Sequence, residues 1–326
     1  MLWRLFQFKA LNFNGLKSEQ RFYICAMKIH VLDLEFLNIQ NAIAIFVVEG
    51  PQGLVLVETG PASTLLHLEA ALQKNGWRIA DFKQVFLSHI HFDHAGAAWA
   101  FAEKGATIYV HPKGLPHLAS PDKLYNSARM IYKEQMDTLW GPMRPIPENQ
   151  LYAPGHGESI EAGGLEFTAW HTPGHAVHHI AWAVSDERKE TVLFTGDVAG
   201  VKIGNGPVMP PCPPPDVHVE DWLASIQLMR ELSVSTLFLT HFGKITAKKE
   251  HLDALERHLL SWATWMKPFA EQHTPPEQVV PLFEKFVAEQ LAALGVDEAG
   301  RQRYEAANPA FMSVAGLLRY WHKKLF

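Results

Sequence analysis

The chain has 326 residues, 48% of them hydrophobic and 19% charged, which excludes a disordered protein and allows a large core with more than one lobe. A net charge of −5 gives no electrostatic reason to expect nucleic-acid binding. Two cysteines, Cys25 and Cys212, cannot build a disulfide framework, and no stretch reaches the roughly 18–20 apolar residues that span a bilayer, so a reduced, cytoplasmic setting is expected.

Residues 1–26 are aromatic and basic, with Lys, Asn and Gln interrupting any signal-peptide core. They read as an upstream extension with Met27 as the natural start, or else as a short strand or amphipathic arm. Strand-forming runs at 43–48 and 54–58 flank GPQG, a hairpin signal. Residues 63–75 predict a helix, with Ser63 as its N-cap and Gly76 as its stop. A strand at 84–87 then runs into SHIHFDHAG, which places His89, His91, Asp93 and His94 within six positions. Imidazole nitrogen and carboxylate oxygen are the ligands that zinc and iron prefer where no thiolate is offered. The spacing is too tight for one helical face, where ligands would sit three or four apart. It predicts a loop that leaves a strand and wraps around a metal pair; a histidine-rich surface loop is the plainer alternative.

Residues 95–104 predict a helix ended by Gly105, and 107–110 another strand. The segment 111–157 carries a predicted helix over 123–140, ended by Pro142, Pro145 and Pro147. It is expected to cover the site as a lid, with His111, His117, Tyr125, Arg129 and Tyr132 as candidate substrate contacts. The alternative is that these side chains pack or solvate a surface helix. Further strands are predicted at 165–170, 180–184, 191–194 and 236–239. After three of them come His175 in HTPGHAVHH, Asp197 in VLFTGDVAG and His241 in TLFLTHFG. Strand ends on one edge of a sheet converge although far apart in sequence. The Pro- and Gly-rich stretch 201–217 predicts a stiff loop near the rim, with Val208 and Met209 as possible apolar wall. Residues 247–326 read as helices at 250–266, 276–294 and 309–324, suited to core packing or a homodimer contact.

Taken together, these motifs resemble the metallo-β-lactamase superfamily of binuclear metallohydrolases, over residues 27–245. The resemblance implies an αββα sandwich of two facing β-sheets with outer helices, here with a helical insertion and a C-terminal helical extension. It implies a catalytic domain at 27–246, with 111–157 inserted and 247–326 appended. It also implies two divalent ions, zinc first and iron or manganese as options. His89, His91 and His175 would hold one, Asp93, His94 and His241 the other, with Asp197 bridging. Glu58 stands where many relatives carry an aspartate near the metals, one methylene shorter, and His179 where a supporting histidine occurs. The implied reaction is attack of a shared hydroxide on an ester or lactone carbonyl of a small-molecule substrate. Asp93 would orient the water or move a proton. Thioester hydrolysis of the glyoxalase II kind, phosphodiester hydrolysis and mononuclear iron persulfide dioxygenation are the alternatives. No GxSxG elbow occurs, and Cys212 lies in a proline run without a base, so a protein nucleophile is not expected.

Overall fold

The computed structural model describes residues 27–326, so Cys25 and the strand or arm expected before Met27 lie outside the described residues. Two six-stranded sheets are each laid down in chain order. The first holds β1 (Lys28–Asp33), β2 (Ala44–Gly50), β3 (Gly53–Val57), β4 (Gln84–Phe86), β5 (Thr107–Tyr109) and β6 (Leu151–Tyr152). The second holds β7 (Ser159–Ala162), β8 (Leu165–His171), β9 (Ile180–Ser185), β10 (Thr191–Gly196), β11 (Thr236–Leu239) and β12 (Gly243–Ile245). Pairing is parallel across β3–β6 and between β10 and β11, and antiparallel elsewhere.

The two-residue period of a strand explains the layering. In β2, Ala44, Phe46 and Val48 enter the core between the sheets, while Ile45 and Val47 face the outer helices. Both faces are buried, so the strand reads as an unbroken apolar run. Between the sheets, Phe86 stacks on Tyr109 at 4.3 Å and on Phe167 at 4.2 Å, and meets Trp182 edge-on at 4.8 Å.

Outside the first sheet lie α1 (Leu65–Lys74), α2 (Phe92–Ala95) and α3 (Ala98–Ala102). The insertion supplies α4 (Leu115–Ala119), α5 (Asp122–Tyr132) and α6 (Met136–Leu139). On the second sheet lie α7 (Val219–Glu231), α8 (Lys248–Glu271), α9 (Pro276–Ala293), α10 (Glu298–Ala307) and α11 (Ala310–Leu325). Trp222, Leu255, Trp262 and Leu317 from these helices share one core with Ala183, Leu193 and Leu237 of the second sheet. This is the expected αββα sandwich, with the C-terminal helices packed into its outer layer. Among the described residues, no helix is long and apolar enough to cross a membrane.

Several expected elements differ. Ser63 does not cap α1; its hydroxyl donates to Leu139 O at 2.7 Å and ties the helix start to the insertion. The helix expected over 123–140 breaks at Lys133, whose φ of 49° is left-handed, and resumes as α6. α7 and α10 were not expected. Gly300 reads as a separator, but it lies in the first turn of α10, donating its N–H to Asp297 Oδ1 at 2.7 Å. Val208 and Met209 do not line a rim; both are buried in the core of the second sheet.

Candidate metal centre

The site forms where β3, β4, β10 and β11 end and in the turn after β8. The loop after β4 is stitched to the opposite sheet at both ends of Leu87-Ser88. Trp182 Nε1–H donates to Leu87 O at 2.9 Å, and Ile180 N–H donates to Ser88 O at 2.7 Å. The expectation that all four clustered residues sit in open loop needs correcting. His91 is the N-cap of α2, and Asp93 and His94 lie in its single turn. The turn swings them away from His89 and His91, which reconciles tight spacing with two separate groups.

In the first group, His89 Nε2 lies 2.8 Å from His91 Nδ1, and His175 Nε2 lies 3.0 Å from that same atom. Burial, helped by neighbouring imidazoles, keeps these rings neutral: His89 and His175 fall below the ordinary histidine value and His91 to about 3. In the second group, Asp93 Oδ2 lies 3.6 Å from His94 Nε2 and 3.4 Å from His241 Nε2. Asp197 stands between the groups. Its Oδ2 is 3.3 Å from His175 Nε2, and its Oδ1 is 3.2 Å from His94 Nε2 and 3.4 Å from His241 Nε2.

This donor set fits divalent metal. Ligand atoms of His89, His91 and His175, of His89, His94 and Asp197, and of Asp93, His94 and His241 lie within 4.8 Å of one another in each group. His94 Nε2, His241 Nε2 and Asp197 Oδ1 are buried, and none has a hydrogen-bond partner. Such atoms cost about 1–3 kcal/mol each when left unsatisfied, more when charged. Burial opposes charge on His94 and His241, yet the Asp197 and Asp93 carboxylates, with Glu58 beside His94, raise both above the ordinary value. Against burial, His94 and His241 in turn hold Asp93 down to about 2. Without an ion, protons on imidazole balance the carboxylates; a cation supplies that charge in their place.

The outer ring nitrogens are pinned. His175 Nδ1–H donates to Pro211 O at 2.8 Å, and His241 Nδ1–H donates to Ala42 O at 2.7 Å. His94 Nδ1 lies 3.2 Å from Glu58 Oε1, and His89 Nδ1 lies 2.9 Å from Ser88 Oγ. A carbonyl oxygen can only accept, so His175 and His241 keep the Nε2 lone pair free for the centre. The same tautomer follows for His94 beside the Glu58 carboxylate. Asp197 is itself held, because its backbone N–H donates to His179 Nε2 at 3.2 Å, while His179 Nδ1 meets Thr172 Oγ1 at 2.8 Å. His179 thus braces the centre from outside the ligand groups. Gly196, before Asp197, has φ +48°, and a Cβ there would come within 2.4 Å of Ser88 Oγ and 2.7 Å of His179 Nε2.

Four other candidates lie apart from the ligand groups. His111 lies two residues past β5, packs on His171 at 4.3 Å and accepts from Lys113 N–H at 3.0 Å. His117 lies on α4. The Tyr125 hydroxyl is engaged by Asp137 Oδ1 at 3.2 Å, and Arg129 is exposed with its guanidinium 5.8 Å from the Tyr125 ring. Residues that sequence reasoning passed over are Ser88 and the carbonyls of Ala42 and Pro211. Only Ser88, adjoining the histidine cluster, left a signal in the sequence.

The sequence profile of the Metallo-beta-lactamase superfamily matches residues 40–241, more than half the chain and all seven clustered residues. The chain belongs to that superfamily. A relative in Sulfurisphaera tokodaii, the metallo-beta-lactamase fold-containing protein ST1585, is 29% identical over 53% of this chain and 69% of its own length. The probable metallo-hydrolase YflN of Bacillus subtilis is 28% identical over 49% of this chain, which spans 61% of that relative. The solved structure of the metallo-beta-lactamase family protein TTHA1429 from Thermus thermophilus matches 91% of this chain and 93% of its own with a TM-score of 0.60 at 19% identity. That last likeness extends the shared fold into the C-terminal helices of this superfamily member.

Proposed function

We propose that the chain is a metal-dependent hydrolase that holds two divalent ions, zinc foremost, and cleaves a carboxylic ester or lactone in a small molecule. The observation that carries this reading is Asp197, whose two oxygens lie against different imidazole sets, 3.3 Å from His175 Nε2 and 3.2 Å from His94 Nε2. One carboxylate so placed would serve two ions at once. Metal bound there would supply the chemistry of an activated water and a polarised substrate carbonyl near neutral pH. His89, His91 and His175 would hold one ion, and Asp93, His94 and His241 the other. The second group favours this reading over single-ion dioxygenase chemistry.

The chain's own work is orientation and proton handling. The pinned Nδ1 atoms leave the rings little to reorganise during reaction. The Asp93 side chain is 20% exposed against 5% for Asp197, so it is the more open of the two carboxylates to incoming substrate. Its Oδ2 faces His94 and His241, which leaves Oδ1 to hold a proton taken from water. Cys212 takes no part. Its thiol is fully buried, pushed up by that burial, and lies 3.5 Å from Pro210 O.

The test is turnover of lactone, ester, thioester and phosphodiester substrates, with metal content measured on the same samples. Asp197→Ala and His91→Ala should each abolish ester or lactone cleavage and lose metal, while Cys212→Ser keeps both. Full activity in metal-depleted Asp197→Ala, or lost activity with metal retained in Cys212→Ser, would overturn the reading.

A further inference from the structure

The surroundings of the partly buried Asp93 differ in chemistry from one side to the other. On the His91 side stand imidazoles: His178 meets His91 edge-on at 5.6 Å and feels His111 and His117 beyond it. On the Asp93 side stands an aromatic wall. Phe92 stacks with Trp140 at 6.0 Å, Trp140 meets Tyr132 edge-on at 5.2 Å, and Tyr132 lies 6.4 Å from Phe311. Three distant parts of the chain build it: the ligand turn α2, the insertion and the first turn of α11. Phe311 is 40% exposed, an apolar ring left at the rim.

Two polar atoms in this wall lack a proper partner. Trp140 Nε1 is buried with no hydrogen-bond partner. The Tyr132 hydroxyl reaches only Met312 Sδ at 3.6 Å, and a thioether is a weak acceptor. Buried indole and phenol donors ordinarily find better partners. Burial, with the Asp93 charge acting on it, pushes the Tyr132 phenol well above its ordinary range, so it stays a donor. Trp140 is sandwiched between Phe36, stacked at 5.6 Å, and the buried Phe92, so the surface left open to a ligand is the Phe311 ring and the Tyr132 edge that carries its weakly partnered hydroxyl.

Resting on the hydrolase reading above, we infer that the substrate carries an apolar acyl or aryl group that lies against Tyr132 and Phe311, with Phe92 and Trp140 as the packed backing of that wall. The Tyr132 hydroxyl donates a hydrogen bond to a substrate oxygen. Calorimetric titration of the zinc-loaded protein with butyrate, hexanoate and octanoate tests the wall. Turnover of the 4-nitrophenyl esters of the same acids runs beside it. Each buried methylene should tighten binding about threefold to fourfold. Phe311→Ala should flatten that dependence. Tyr132→Phe should lower octanoate affinity and kcat/KM about tenfold, with chain-length dependence, metal content and unfolding temperature kept. Equal affinity for the three acids, or a chain-length slope that Phe311→Ala leaves unchanged, overturns the apolar wall. Unchanged affinity and kcat/KM in Tyr132→Phe overturn the hydroxyl contact. Chain-length-dependent binding of the acids, with no ester turned over, supports the subsite and overturns the hydrolase reading instead.

Discussion

Glu58 holds a left-handed backbone, φ 65°, that a side chain other than glycine adopts at a cost of about 1–3 kcal/mol. That conformation brings a buried carboxylate to His94 Nδ1 at 3.2 Å and to the Ser88 N–H at 3.3 Å. Removing its charge should weaken metal binding without unfolding the chain. Glu58→Gln is expected to lower affinity about 10–100-fold in competition with a chromophoric chelator. An unchanged affinity would mean that the carboxylate only fills space. His251 gives a second residue-scale prediction, about pH. Its Nε2–H donates to Ala199 O at 2.8 Å, and burial holds its pKa at about 4. The unfolded chain therefore takes up this proton first. The stability it contributes is complete above about pH 6.5 and is lost as pH falls towards about 4, by up to about 1.4 kcal/mol for each step of one in pH. His251→Gln keeps a donor and removes the titration, so its urea midpoint should fall less between pH 7 and pH 4 than the parent's. Parallel profiles would refute this.

Among the elements, α8 shows that the C-terminal helices belong to the catalytic unit's packing. Leu255 is fully buried in the core it shares with Leu193 and Leu237. Leu255→Ala should destabilise the whole chain by about 2–5 kcal/mol, read as one shifted denaturation transition. A separate early transition would instead mark the helices as an independent unit. The strands and the ligand residues were legible because each signal is local. An apolar run ends, and a histidine or aspartate follows within a few residues, as at Leu239-Thr240-His241. What escaped depends on distance. Trp140 and Phe311 join one wall only because the insertion folds back against α11, and no local pattern records that. The break at Lys133 escaped because neither Gly nor Pro lies within 123–140 to mark the one left-handed residue. α10 escaped because Gly300 is conspicuous in sequence, while the Asp297 cap that accommodates it is not.

For the whole molecule, the centre draws ligands from both sheets, so binding of metal and folding are linked. His89, His91, Asp93 and His94 come from the first sheet's side, and His175, Asp197 and His241 from the second. An ion held by the folded chain and not by the unfolded one stabilises it by mass action. Removing metal with a chelator should therefore lower the unfolding temperature, and zinc should restore it. The most direct test of a two-ion centre is the metal-to-chain ratio of protein loaded with zinc and freed of excess, measured in parent and Asp197→Ala. The expected result is two ions per chain in the parent, bound through nitrogen and oxygen alone, and a marked loss in the variant. One ion per chain in the parent, or two in Asp197→Ala, would contradict it.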